Sequence, residues 1–445
     1  MKYFGTDGFR GRVNETLTVD HAIKIGKFLG YYFSNTLGNV RCVIGKDTRK
    51  SGYMYEYGLV AGLTSTGVDV SLLHVTTTPS ISYITRTEKF DFGIMITASH
   101  NPYYDNGIKV IDRDGFKMND KILQMVEDYI DGKIDIELAT NDKIGRCSDY
   151  IQGRNKYIAY LSTIPSPSFR GYKVGLDCAN GASFMIAKNV FDMLGADTYI
   201  IHNEPDGLNI NKDCGSTHIE SLQALVKEKG LDIAFAFDGD ADRCLAVDEN
   251  GNVVDGDMII YIYGCYLKEK NQLVKDTVVT TVMSNIGLTK ALTAKGIKNV
   301  QTPVGDKYVS AEIQAENYSV GGEQSGHVIF SKYATTGDGV LTAIKVMEIC
   351  IEKKCTLSSL VSDVTIYPQT LVNVRVENME EVLASDELKK VTDAITDKLK
   401  DTGRILLRKS GTEPLVRIMV EAQTDKECND YAEEIKAKIL EIASK

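Results

Sequence analysis

Three aspartates alternate in the segment Asp238-Gly-Asp-Ala-Asp-Arg243. Along extended chain, alternate side chains leave the same face, so Asp238, Asp240 and Asp242 are expected side by side. Carboxylates that close repel one another unless they are protonated or neutralised. A hard divalent cation with oxygen ligands is the natural neutraliser. An apolar strand-like run, Ile233–Phe237, precedes the loop where a calcium-binding EF-hand would have a helix. A solvated acidic turn at a strand end is the plain alternative. Arg243 is placed to orient the acids or to touch a substrate.

Ser99 closes the apolar run FGIMITAS, and His100, Asn101 and Pro102 follow it. Asn101–Pro102 and Asn106–Gly107 supply turns, and Lys109 lies on the returning stretch. The segment is either a β-hairpin connection with a capping serine or a serine held within reach of metal and substrate. Ser99 is flanked by Ala98 and His100, so it is not the G-x-S-x-G elbow of an α/β-hydrolase. In Gly321-Gly-Glu-Gln-Ser-Gly-His327, the residues Glu323, Ser325 and His327 alternate and are expected on one face. They are suited to sugar hydroxyls or, for Glu323, to an amine. Between Arg408 and Arg417, the residues Ser410, Gly411 and Thr412 offer hydroxyls and backbone N–H groups beside two guanidinium forks. That is the chemistry of an anion nest, without a Walker A loop. The opening FGTDGFRGR adds Arg10 and Arg12, of which Arg10 could reach a phosphoryl group.

These segments sit at equivalent places in a repeated pattern. VRCVIGKD, DVSLLHV and FGIMI are strand-like and alternate with helical stretches. YKVGLD, TYIIHNE and IAFAF repeat the arrangement, as do TVVTTVM, KNVQTPV and the strand before GGEQSGH. Such alternation predicts three α/β domains with mainly parallel sheets. Ligands in these sheets bind beyond the carboxyl ends of strands, where the three polar loops stand. From about Tyr367 the pattern changes to α+β with adjacent strands. The expected domains are 1–150, 151–255, 256–365 and 366–445.

Composition narrows the function. The 445 residues carry 51 basic and 61 acidic side chains, a net charge of −10, which excludes a general nucleic-acid binder. The chain starts without an apolar h-region and holds no long apolar run, so a cytoplasmic protein with no membrane contact is expected. Nine scattered cysteines with no C-x-x-C make structural zinc and a disulfide framework unlike this chain.

TASHNP, DGDADR, GGEQSGH and RKSGTEP, in that order, resemble the motifs of the α-D-phosphohexomutases over essentially the whole chain. The resemblance implies three related α/β domains and a smaller α+β C-terminal domain around a central cleft. It implies a phosphorylated Ser99, one Mg²⁺ on Ser99, Asp238, Asp240 and Asp242, and a hexose 1,6-bisphosphate as primer. His100, Lys109 and Arg10 would serve catalysis. Glu323, Ser325, His327 and Arg243, with Arg408, Ser410, Gly411, Thr412 and Arg417, would bind a small sugar phosphate. Gln324 and Gly411 resemble the aminosugar branch, which interconverts glucosamine 6-phosphate and glucosamine 1-phosphate. Lys409 and Lys307 depart from that branch, which commonly has Pro and Arg there. A phosphomannomutase/phosphoglucomutase is the alternative within the family. A metal-dependent phosphatase and a non-catalytic sugar-phosphate sensor are the rivals outside it. Either a monomer or a homodimer is expected.

Overall fold

The computed structural model describes residues 1–409 and 414–444. The chain forms two compact units, Met1–Met283 with Ile297–Ser362, and Ser284–Gly296 with Asp363–Lys445.

The larger unit contains three sheets. In the first, seven strands run in the order Phe4–Gly5, Gly8–Arg12, Asp105–Asp112, Phe92–Ile96, Val40–Lys46, Val68–Val75 and Cys147–Asp149. Helices cover both faces because the strands are apolar on both. Val40, Cys42 and Ile44 pack with Ala22, Leu29 and Leu59, whereas Val43 packs with Ile81 and Ile84 on the other side. The second sheet has the order Val253–Val254, Cys244–Val247, Ile233–Phe237, Lys173–Asp177, Asp197–Ile201. The third has Lys298–Thr302, Thr277–Thr281, Val320–Gly322, Val328–Phe330.

Each sheet has a parallel part of the expected kind, but none is parallel throughout. Phe92–Ile96 pairs antiparallel with Asp105–Asp112, Ile233–Phe237 with Cys244–Val247, and Val320–Gly322 with Val328–Phe330. The connecting residues, 97–104, 238–243 and 323–327, are too few for a parallel crossover, which needs a dozen or more. All three polar loops are therefore hairpin tips at the carboxyl ends of parallel-sheet strands.

The smaller unit has a three-stranded antiparallel sheet with Leu415–Glu421 between Gln369–Arg375 and Arg404–Lys409. The helices Asp386–Leu399 and Asp425–Ala443 bring Leu388, Ile395, Ala432 and Ile435 to the core under that sheet. The helix Ile286–Ala294, which lies in sequence between two strands of the third sheet, belongs to this unit. Asn285 Nδ2 donates to the Tyr367 carbonyl at 2.9 Å, and the Ile286 N–H donates to Glu421 Oε2 at 3.2 Å. Among the described residues no helix is long and apolar enough to cross a membrane.

Candidate active site

Two hairpin tips of the larger unit meet directly. Ser99 adopts left-handed backbone at φ 53°, uncommon for a residue with a side chain. Buried partners hold it there. Its N–H donates to Thr97 Oγ1 at 2.9 Å, and its carbonyl accepts from Asn211 Nδ2 at 2.9 Å and Arg49 Nη2 at 3.2 Å. The same two side chains also bind the Asn101 carbonyl. Arg49 is fully buried and paired with Asp47. So fixed, Ser99 Oγ donates to Asp238 Oδ2 at 2.6 Å.

The three aspartates do gather, though by another route than extended chain. Residues 238–243 form a turn, closed by the Ala241 N–H on the Asp238 carbonyl at 3.0 Å, with Ala241 at φ 57°. One oxygen from each of Asp238, Asp240 and Asp242 lies within 4.8 Å of the others, and all three residues are buried. Asp240 Oδ1 and Asp242 Oδ1 are buried without a hydrogen-bond partner. Buried carboxylate oxygens without a protein partner fit a hard divalent cation. Burial and repulsion from Asp242 and Asp240 push the Asp238 pKa well above the usual range. Asp242 lies low despite its burial, because Lys109 and His327 favour its charge.

Lys109, from the returning strand of the first hairpin, is buried. Its Nζ is 2.8 Å from Asp240 Oδ2, 3.2 Å from Asp242 Oδ2 and 3.0 Å from Asp7 Oδ2. Burial disfavours the ammonium, but three carboxylates outweigh it and raise the pKa well above normal. His100 has its pKa lowered to about 4 by burial and by the guanidiniums of Arg243 and Arg10. Its Nδ1 is 3.4 Å from Ser99 Oγ but 2.9 Å from Arg243 Nη1. The neutral imidazole therefore accepts from Arg243, and that lone pair is not aimed at the serine. Arg243 also caps Asp238 Oδ1 with its N–H at 3.2 Å. Arg10 stands on the strand Gly8–Arg12, opposite Gly107 of the first hairpin, and pairs with Asp7.

The third tip departs from the expected single face. Gly326, at φ 91°, closes a tight turn by donating to the Glu323 carbonyl at 3.0 Å. Ser325 faces solvent, and half-buried Glu323 accepts from the Gly305 N–H at 3.2 Å. His327 is buried, with Nδ1 3.7 Å from Asp242 Oδ2 and Nε2 accepting from the Gly337 N–H at 3.1 Å. It backs the acidic turn and does not share a face with Ser325. Gln324 also turns inward, donating to Asp255 Oδ2 at 3.1 Å, where Asp255 caps the helix Gly256–Glu269.

In the smaller unit, Arg408 and Arg417 are paired across adjacent strands. Burial and the charge of Arg417 lower the Arg408 pKa. Ser410, Gly411 and Thr412 lie outside the described residues.

Sequence reasoning missed Arg49, Asn211, Asp7, Lys117 and Thr78. Thr78 Oγ1 donates to Asp240 Oδ2, and Lys117 Nζ is 2.8 Å from Asp7 Oδ1. Arg49 follows a strand end, so the strand-end rule could have found it; Asp7 stood inside a patch valued only for its arginines. In a second ligand-like group, Asp177, His202 and Cys214, the carboxylate is already taken up by backbone donors. Asp177 accepts from the Ala179 and Gly215 N–H groups at 2.9 Å and pairs with His202 Nδ1 at 3.0 Å, while burial pushes the Cys214 thiol up to about 12.

The chain matches the four families described as phosphoglucomutase/phosphomannomutase, alpha/beta/alpha domains I, II and III and C-terminal domain, at residues 1–136, 149–251, 255–367 and 371–438. The chain belongs to the phosphoglucomutase/phosphomannomutase family. Relatives named phosphoglucosamine mutase share the whole length. One from Lachnospira eligens is 56% identical over 437 residues, 98% of this chain and 97% of that protein. Another, from Geobacillus kaustophilus, is 49% identical over 436 residues, 98% and 97% of the two chains. A phosphoglucomutase/phosphomannomutase family protein from Burkholderia thailandensis has the same fold, with TM-score 0.80 at 23% identity over 99% and 97% of the chains. So does the Aspergillus fumigatus N-acetylphosphoglucosamine mutase solved with GlcNAc-6P and magnesium, with TM-score 0.69 at 19% identity over 99% and 96%. The family's enzymes are phosphohexomutases, which are isomerases, and they depend on magnesium.

Proposed function

We propose that this chain interconverts glucosamine 6-phosphate and glucosamine 1-phosphate through a phosphorylated Ser99 and a hexose 1,6-bisphosphate. The observation that carries the proposal is the Ser99 Oγ to Asp238 Oδ2 contact of 2.6 Å. It seats the group-carrying oxygen against one of three clustered carboxylates. The aminosugar follows from full-length relatives named phosphoglucosamine mutase at 56% and 49% identity.

Phosphoryl transfer asks a protein for positioning and charge more than for covalent chemistry. Arg49 and Asn211 clamp the Ser99 and Asn101 carbonyls and so aim the hydroxyl. Asp238, Asp240 and Asp242, with an oxygen on Ser99, would hold Mg²⁺. When bound, that ion supplies positive charge to the oxygens of the moving group. Lys109 and Arg10 bring cationic side chains to the same site. His100, uncharged, receives Arg243 and keeps that guanidinium near the serine. Glu323 and Ser325 are assigned to the sugar, with Glu323 suited to its amine. Arg408 and Arg417 form a cationic pair for a phosphate. A bisphosphate is suited to prime unphosphorylated Ser99.

The test compares kcat/KM on glucosamine 6-phosphate, mannose 6-phosphate and glucose 6-phosphate, with Mg²⁺ and a bisphosphate primer. Glucosamine 6-phosphate is expected to lead by about a hundredfold, roughly 2.7 kcal/mol of transition-state discrimination. Leadership by mannose or glucose would retain the mutase chemistry and refute the aminosugar assignment. Phosphate release at the rate of isomerisation would favour a phosphatase.

A further inference from the structure

Lys109 is shared between two sets of acids. Two of its partners, Asp240 and Asp242, are candidate cation ligands. The third, Asp7, comes from the turn between the strands Phe4–Gly5 and Gly8–Arg12 and lies outside the triad. An ammonium has three N–H donors, and here three carboxylates face it. Its Nζ sits on Oδ2 of Asp240 and of Asp242, while Oδ1 of each is left without a partner; it neutralises the same two carboxylates from their other oxygens, so the two cations compete for that negative charge. Asp7 offers the ammonium a place to lean when that competition is lost.

The pull of Asp7 is itself adjusted. Lys117 Nζ is 2.8 Å from Asp7 Oδ1, and Lys117 is drawn the other way by Asp306 Oδ2 at 2.5 Å and the Thr6 carbonyl at 3.0 Å. Charges thus alternate from Asp306 through Lys117, Asp7 and Lys109 to the acidic turn. Asp7, Lys109, Lys117, Asp242 and Asp306 all line one cavity of about 430 Å³, which leaves the ammonium room to shift.

We propose that Asp7 is a positioning residue of the cation site: it takes up the Lys109 ammonium when a divalent cation occupies Asp240 and Asp242, and Lys117 limits how strongly it does so. The proposal rests on the mutase reading only in taking the acidic turn as a Mg²⁺ site. It gives the two variants opposite signs. Asp7→Asn removes the alternative partner, holds Lys109 on the triad and weakens Mg²⁺ binding. Lys117→Met frees Asp7 to draw Lys109 away and strengthens it. Because Lys117 acts through Asp7, the double variant should behave as Asp7→Asn alone, a non-additivity expected of coupled neighbours.

The measurement is Mg²⁺ affinity of the full-length chain by isothermal titration calorimetry, which needs no turnover. Asp7→Asn should weaken binding about tenfold and Lys117→Met tighten it about threefold. Unchanged affinity in Asp7→Asn, weaker binding in Lys117→Met, or a double variant in which the two single effects simply add overturns the proposal, since a structural anchor gives no opposite signs and bare charge effects would be additive. Should Asp7→Asn fail to fold, Lys109→Gln decides: loss of the competing ammonium must tighten Mg²⁺ binding, and looser binding refutes the competition. A chain that binds Mg²⁺ with the expected pattern yet isomerises no hexose phosphate supports the role of Asp7 and refutes the functional reading instead.

Discussion

At the scale of single residues, the site depends on side chains that touch no reacting atom. Asn211 is the sharpest case. Its amide donates to two carbonyls of the serine loop, Ser99 and Asn101. Asn211→Asp keeps size and tolerance of left-handed backbone but replaces the donor with an anion facing two carbonyl oxygens. A misplacement of about 1 Å at a reacting centre costs on the order of a hundredfold in rate. Steady-state kinetics should show kcat falling by about that factor with KM little changed; a rise in KM alone would make the contact incidental. Asp338 gives a pH dependence. Burial, partly offset by the Leu341 N–H and the Tyr157 hydroxyl, raises its pKa to about 6 from 3.8. The folded state therefore holds this proton more tightly than the unfolded state. Stability from Asp338 is present below pH 4 and is lost as pH rises to 6, by about 3 kcal/mol. Asp338→Asn cannot ionise, so its Tm relative to the parent should improve between pH 4.5 and 7. A constant difference would show that Asp338 does not titrate in this window. Ser99, the aspartates and Lys109 were legible because their types are costly to place at strand ends without a purpose. Asn211 was not, because its work is on backbone carbonyls, which have no sequence signature; Arg49 had only its place past a strand end to mark it.

At the scale of elements, the informative feature is how closely hairpin tips approach. A Cβ added to Gly239 would lie 2.5 Å from the Ser99 carbonyl oxygen, which is backbone and cannot swing aside. Gly239→Ala must therefore separate the acidic turn from the serine loop. Mutase activity and Mg²⁺ affinity should both fall at least tenfold, while far-UV circular dichroism remains that of the parent, since the strands on either side are unaffected. Retained activity would mean that the tips need not touch. Gly326 bears on the third tip in the same way: its Cβ would meet the Cys244 carbonyl at 2.3 Å. The sequence showed which strands feed these loops, because apolar runs ending in polar residues mark carboxyl ends of buried strands. It misjudged what the loops are. Alternation suggested extended chain with one functional face, whereas left-handed Ala241 and Gly326 make tight turns. Turning gathers the three aspartates, but it sends His327 inward and leaves Ser325 outside. The two readings weighed for the Ser99 segment, hairpin and functional loop, are not rivals, since the hairpin is what brings Ser99 to Asp238.

At the scale of the whole molecule, the smaller unit takes in a helix from the third α/β repeat besides the segment from Asp363 onward. The helix Ile286–Ala294 is amphipathic, and amphipathicity says that a face is buried without saying against what. Its N-terminus is held by Glu421, a fully buried carboxylate that ends the central strand of the smaller sheet. Glu421 also accepts from Arg404 Nε at 2.6 Å and Gln369 Nε2 at 2.9 Å. One carboxylate therefore ties a helix from the third α/β repeat to two strands from the last segment. Glu421→Ala would leave a half-buried guanidinium and a helix N–H without this acceptor, a loss of about 2–3 kcal/mol for the unit that contains them. Multidomain chains need not melt in a single transition. Differential scanning calorimetry of Glu421→Ala should lower the endotherm of the smaller unit while the larger keeps its Tm. Glu421→Gln retains one acceptor oxygen and should lose roughly half as much. A uniform shift of the whole melting profile would instead mean that the two units unfold as one, and that this carboxylate supports the entire chain.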